Sequence, residues 1–320
     1  MERPVIIATR GSPLALAQAN YVAARCRAAF PKVQFELKTI KTTGDKLQTA
    51  SFKKVGDTLP KGLFTKELEV ALLDGTADLA VHSLKDLPTD LPDGLKLAAT
   101  PERADVRDVL VYRPVGDALR GLKPHAQIKD FPGGATIATS STRRKMQLLA
   151  VRPDLNIVEI RGNVATRLQK VAQRAELDAT VLALAGLTRL GFVIHAHGTL
   201  HGGSVPKGML ATILSLDVML PCVGQGAIGI EIRTNDERIE KVCQALNHSE
   251  TFHCVTAERA FLHAMGGGCL SPVAAHGQVH GDKLVLRAVS YRDGAEKRAE
   301  SERPVKEAVK LGTIIAEKLR

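Results

Sequence analysis

The chain contains no tryptophan, and phenylalanine and tyrosine bring the aromatic share to only 3%. Stacking platforms for nucleic-acid bases are therefore scarce, although the formal net charge is +10. No apolar run approaches the roughly 18 residues of a membrane span. The N-terminal "MERPVIIATRGSP" lacks the apolar core of a signal peptide, which leads us to expect cytoplasmic residence. The five cysteines, Cys26, Cys222, Cys243, Cys254 and Cys269, are odd in number and include no CxxC pair. That spacing argues against a disulfide framework and against a zinc ribbon, so no metal is expected. Histidines do cluster at His195, His197 and His201, but with no cysteine or carboxylate beside them they read as a glycine-rich solvated loop. His253, Cys254 and His263 read as packing on a helix, and Cys26 as a small buried hydrophobe.

What is present is an ordinary soluble composition, 44% hydrophobic and 24% charged over 320 residues, long enough for two or three domains. It also contains an internal repeat. "VIIAT" (5–9) leads into Arg10-Gly11-Ser12-Pro13 and a helical stretch; "TIAT" (136–139) leads into Ser140-Ser141-Thr142-Arg143-Arg144 and another. Ser12 has the N-cap preference, and Pro13 suits the first helical turn. "VQFELKTIK" (33–41) then matches "NIVEIRGN" (156–163), and the helix–strand pair of 65–86 matches that of 164–187. Each half reads β-α-β-α-β, which predicts α/β units with parallel strands and crossover helices. The chain would cross between the halves near 100–114 and again near 220–233. We therefore expect residues 1–102 with 226–245 as domain 1, 108–221 as domain 2, and 247–320 as a small α+β domain 3. The aperiodic stretch 44–62, with its glycine, proline and four lysines, reads as a lid.

In open α/β sheets ligands bind beyond the carboxyl ends of the strands, where helix N-termini favour anions. The polar residues gather at such positions: Arg10 and Ser12; Ser83, Lys85 and Asp86; Thr139, Ser141, Arg143 and Arg144; Arg161, Asn163 and Arg167. Guanidinium groups there allow bidentate carboxylate or phosphate recognition, which gives the excess of basic residues a small-molecule anionic partner. Asp86 is the only carboxylate at its strand end; it reads either as the salt-bridge partner of Lys85 or as an acid held to move a proton or stabilise a cation. His82, on the opposite face from Ser83, reads as packed. Finally, "GGGCLSP" (266–272) clears space on the N-terminal side of Cys269.

The motifs "RGSPLALAQA", "KGLFTKELEVALLDGTADLAVHSLKDLP", "ATSSTRRKMQL", "IRGNVATRL", "LAGLTRLG", "VGQGAIGIE" and "GGGCLSPVAAHG" together resemble the porphobilinogen deaminase (hydroxymethylbilane synthase) family, in its order from residue 8 to about 277. The resemblance implies a tetrapyrrole-pathway transferase that condenses four porphobilinogen units head to tail with loss of ammonia. It implies a dipyrromethane cofactor in thioether linkage to Cys269 and a catalytic aspartate at Asp86. It also implies a cationic cleft of Arg10, Lys85, Arg143, Arg144, Arg161, Arg167 and Arg189, with hydroxyls from Ser12, Ser83, Thr139 and Ser141. Lys61 and Phe64 would lie near the cofactor, and Gln225 at the hinge. Two domains of the type II periplasmic-binding-protein fold would be followed by a third presenting Cys269, in a monomer that binds neither nucleic acid nor membrane. The chain departs from the family in Gly266, where an acidic residue is usual and where a more flexible loop is therefore expected, in Leu270-Ser271, and in the longer stretch 194–209. A solute-binding protein on the same fold is the main rival, and it would need no thiol.

Overall fold

The computed structural model describes residues 3–45, 62–113, 122–268 and 271–320. The expected lid therefore lies almost wholly outside the described residues, as do Lys61 and Cys269.

The first sheet has the order β2-β1-β3-β12-β4, from β1 (Val5–Arg10), β2 (Phe35–Ile40), β3 (Leu79–Ser83), β4 (Leu95–Ala99) and β12 (Ile228–Arg233). The second has the order β11-β5-β8-β6-β7, from β5 (Asp108–Tyr112), β6 (Thr136–Ala138), β7 (Asn156–Val158), β8 (Ala179–Ala183) and β11 (Leu210–Ile213). In each, one strand runs against its neighbours: β12 is antiparallel to β3 and β4, and β5 to β8 and β11. The sheets are thus mixed, not purely parallel as the repeat predicts. The odd strand in each is the one the chain lays down on crossing from the other, and two sheets so built form the type II periplasmic-binding-protein arrangement.

The repeat persists at the level of single atoms. Ile7 and Ala8 pair with Leu79 and Ala80, as Ile137 and Ala138 pair with Ala179 and Thr180. Asp78 accepts the Ile6 N–H at 2.8 Å, and Asp178 the Thr136 N–H at 2.7 Å, each closing the same strand entrance. Both faces of the first sheet are covered, which is why its inner strand β1 opens on the apolar run Val5–Ala8. Helices α1 (Pro13–Ala29) and α6 (Glu237–Leu246) pack Ala19, Val22, Cys26, Val242 and Cys243 over Val5, Ile7 and Ile230. Helix α2 (Lys66–Leu73) lays Leu68 and Leu72 over Ala8 and Ala80 on the other face. In the second sheet α3 (Thr142–Val151) and α4 (Val164–Gln173) play these parts, with Leu148 and Leu168 in opposite cores. A short α5 (Leu184–Arg189) and the hairpin β9 (Val193–Ile194) and β10 (Leu200–His201) follow β8; the hairpin occupies the longer stretch.

The last portion is an antiparallel meander of β13 (Val273–His280), β14 (Lys283–Ser290) and β15 (Lys297–Pro304), crossed by α7 (Ser249–Ala264) and α8 (Ala308–Leu319). Phe261, Leu284, Leu286, Leu311 and Ile315 form its core. Gly312 lets the two helices touch, because a Cβ there would lie 2.6 Å from Phe261 N and closer still to Ala257 O.

Candidate active site

Strand β3 ends in a single 3₁₀ turn, Leu84–Asp86, whose Leu84 is buried and donates its N–H to Ala227 O at 3.1 Å. The buried Leu87 and the following Pro88 continue extended, and Arg259 of α7 grips their carbonyls at 3.1 and 2.6 Å. Lys85 and Asp86 are thereby fixed at the strand end, half-buried, where two cavities meet.

The first cavity, about 250 Å³, is lined by Lys85, Asp86, Ser140, Ser141, Arg143, Arg144, Arg167, Cys222, Gln225, Gly268 and Ser271, with apolar contributions from Val223, Leu262 and Val273. The second, about 60 Å³, is lined by Arg10, Ser12, Gln18, Phe64, Ser83 and Asp86 among others. Among the described residues Asp86 is the only one common to the two linings. His82, buried, meets the buried Glu231 at 2.9 Å, so it is packed as expected.

Several residues expected as ligands also do local structural work. Ser12 caps α1, accepting from Ala15 N at 3.3 Å; Ser141 caps α3, accepting from Arg144 N at 3.4 Å. Asn163 caps α4 through Thr166 N at 2.9 Å but is exposed and lines neither cavity. Thr139 is buried behind the first cavity, its Oγ1 accepting from Ser141 N at 3.2 Å. Arg10 stacks on Phe64 at 4.1 Å and pairs with Asp45 at 2.5 Å. Burial would raise that carboxyl, but Arg10 and Thr42 hold it below the ordinary aspartate range. Ser83 exchanges hydrogen bonds with Gln18 at 2.9 and 3.1 Å.

Two of the expected arginines lie outside these two cavities. Arg161 is exposed beside Glu159 and lines neither cavity, since its turn faces solvent. Arg189 lines a third cavity, of about 420 Å³, with Tyr21, Glu102 and Arg103, and donates to Gly226 O at 2.6 Å. Arg167 does line the first cavity and donates to Gly162 O at 2.8 Å. Burial lowers Arg167 and Arg189 alike to about 10, leaving both protonated at neutral pH.

The sequence reading missed Asp108 altogether. It is fully buried, 2.9 Å from Arg143 and 2.7 Å from Arg144, and accepts from Gln225 Nε2 at 3.0 Å. Gln225 is also buried and donates to Val106 O at 2.6 Å, so it bridges the two crossings. Gln18, Cys222, Ser140 and Ser271 were missed too; only their place after strands or beside the glycine loop could have flagged them. Gly266 has a local structural part. With φ of +63° it closes α7, its N–H meeting His263 O at 2.8 Å, so it sits where a helix-stop glycine does. Histidines 195, 197 and 201 stack as rings 4.5–5.5 Å apart, and no group of three metal-ligating side chains occurs among the described residues.

A cationic, hydroxyl-lined cleft between two such sheets, with one carboxylate at the junction of its cavities, defines an α/β enzyme for polyanionic small molecules. The donors fit a carboxylate-rich group further, because Arg143 Nε and Arg144 Nε are buried without a hydrogen-bond partner. Residues 5–241 match the family model described as porphobilinogen deaminase, dipyromethane cofactor binding domain, and residues 252–320 match the porphobilinogen deaminase C-terminal domain. Porphobilinogen deaminase of Geobacter metallireducens is 44% identical over 98% of this chain and 90% of its own length. That of Carboxydothermus hydrogenoformans is 42% identical over 100% and 94%. Among solved structures the BenM effector binding domain with benzoate is similar at TM-score 0.42 and 14% identity, covering 77% of this chain and 91% of that one. The chain belongs to the porphobilinogen deaminase family, transferases that condense porphobilinogen into hydroxymethylbilane with release of ammonia and that carry a dipyrromethane cofactor. Among the described residues no helix is long and apolar enough to cross a membrane.

Proposed function

We propose that Asp86 is the catalytic carboxylate of this deaminase and that Cys269 anchors the cofactor by a thioether. The carrying observation is that, among the described residues, Asp86 alone lines both cavities, so a group in either meets the same residue. The first cavity is bounded by Gly268 and Ser271, the described residues on either side of Cys269 and Leu270, and suits the tethered group. Arg143, Arg144, Arg167 and Lys85 would hold its acetate and propionate side chains, with Ser141 adding a hydroxyl. When bound, the cofactor supplies the pyrrole to which the first substrate unit is joined. The second cavity, with Arg10, Ser12 and Ser83, suits an incoming carboxylate-bearing ring. Loss of ammonia from porphobilinogen leaves an electron-poor methylene-pyrrolenine, and the Asp86 carboxylate stabilises positive charge on its ring nitrogen. The opposing bases around it keep the substrate carboxylates oriented and away from the reacting carbon.

The excess of basic residues serves this cleft and no nucleic acid. The chain acts as a cytoplasmic monomer of three domains, 1–102 with 226–245, 108–221 and 247–320. Asp86→Ala tests the central role: the purified variant should retain the covalent adduct by mass while turnover of porphobilinogen falls at least about a hundredfold. Turnover within a factor of about three of wild type would remove Asp86 from the chemistry.

A further inference from the structure

Asp108 opens β5, directly after the first crossing, and is wholly buried. Its Oδ1 accepts from Arg144 at 2.7 Å and from Gln225 at 3.0 Å, while its Oδ2 lies 2.9 Å from Arg143. The guanidiniums are held on their far sides as well, Arg143 by Leu220 O at 2.6 Å and Arg144 by Val181 O at 2.9 Å. One carboxylate thus clamps two consecutive arginines at the start of α3 to an amide on the returning crossing. Two cations against one anion leave a single net positive charge in the cluster that walls the first cavity. Burial alone would raise the Asp108 carboxyl, but Arg143 and Arg144 outweigh it and hold it at about 2, so the clamp is charged throughout the working pH range.

We propose that Asp108 is a positioning residue for carboxylate recognition: it fixes the aim of Arg143 and Arg144 into the cavity and halves the charge they present. Fixed aim favours the spaced carboxylates of a pyrrole, and the halved charge keeps small inorganic anions from competing. The inference rests on reading this cleft as the porphobilinogen site. A role in stability alone would make no distinction between ligands, so the two can be separated by comparing a pyrrole with a simple ion.

The test uses the full chain with its covalent group verified by mass. Asp108→Asn keeps the shape and one acceptor but releases one positive charge. We expect kcat/KM for porphobilinogen to fall at least about tenfold, mainly through KM, while calorimetric binding of inorganic sulfate tightens at least about threefold. Asp108→Glu keeps the charge but moves the carboxylate by one methylene; kcat/KM should fall and sulfate binding should stay as in wild type. Wild-type kcat/KM in Asp108→Asn, or sulfate binding that weakens in step with porphobilinogen, overturns the proposal. If Asp108→Asn does not fold, Asp108→Glu decides alone, with wild-type kcat/KM as the refuting result. An inactive wild-type chain would count against the deaminase reading of the cleft, and the sulfate measurements would still report on Asp108.

Discussion

Glu258 offers the most informative perturbation of the framework that holds the cleft. Its carboxylate, fully buried on α7, uses both oxygens twice: Oε1 accepts from Arg103 at 2.6 Å and Gly277 N at 2.9 Å, Oε2 from Arg103 at 3.0 Å and Gly224 N at 2.8 Å. Those partners lie on the first crossing, on the returning crossing and on β13, so one side chain fastens the third sheet to both crossings. Glu258→Gln replaces one oxygen by an NH₂ that faces two donors, and leaves Arg103 with no anion against it. Losing two charge-assisted hydrogen bonds at about 1.5–2 kcal/mol each gives about 3–4 kcal/mol, which agrees with the roughly 3–5 kcal/mol for breaking a buried ion pair. At about 2–4 °C per kcal/mol for a protein of this order of size, scanning calorimetry should show the melting temperature lower by about 6–16 °C. The double variant Glu258→Gln/Arg103→Met should be destabilised by less than the sum of its singles, since it removes the stranded charge. A drop of less than about 2 °C in the single variant would show that the junction is not held by this carboxylate.

His276 on β13 is buried, and its pKa is lowered from 6.5 to about 4 by loss of solvation, with Glu258 and Asp105 opposing and Arg103 and Arg287 assisting. The unfolded chain therefore takes up this proton near pH 6.5 and the folded chain only near 4. Stability should fall as pH drops through that window, by up to roughly 3 kcal/mol, and His276→Gln should flatten the fall in urea titrations. An unchanged slope would contradict the assignment. Gly312→Ala should destabilise the α7–α8 contact by about 1–3 kcal/mol or more without changing kcat/KM, and a neutral effect on melting would show that the helices can part there. Arg189→Ala, outside the two Asp86 cavities, should impair kcat/KM less than Arg143→Ala; the reverse ranking of the two rate losses would move the substrate toward the third cavity.

The repeat was legible because the two halves share local chemistry: an apolar strand, a serine N-cap and then a helix. The antiparallel direction of β5 and β12 was not, because a strand buried on both faces has the same apolar run whichever way it points. Strand β15, "KRAESERP", escaped for the opposite reason, since its inward positions include alanine and serine beside charged neighbours and its hydrophobic signal is weak. Arginines after strands marked the cleft wall, yet the anion that aims them lies 36 residues from Arg144 and 117 from Gln225, beyond any local pattern. Helix-capping serines and ligand-binding serines have the same sequence signature, and here Ser12 and Ser141 do the first while lining cavities fit for the second. Gly266 carries a helix-stop signal in the sequence, a glycine one residue past the cap of a helical run.

The central claim is a covalent pyrrole primer tethered at Cys269 and facing Asp86. Intact-mass measurement of the purified chain after incubation with porphobilinogen tests it most directly. The account predicts a mass above that of the bare chain by two deaminated porphobilinogen units, carried on the peptide that contains Cys269 and absent from Cys269→Ser. A wild-type chain that stays at its bare mass, or an adduct that persists in Cys269→Ser, would contradict it.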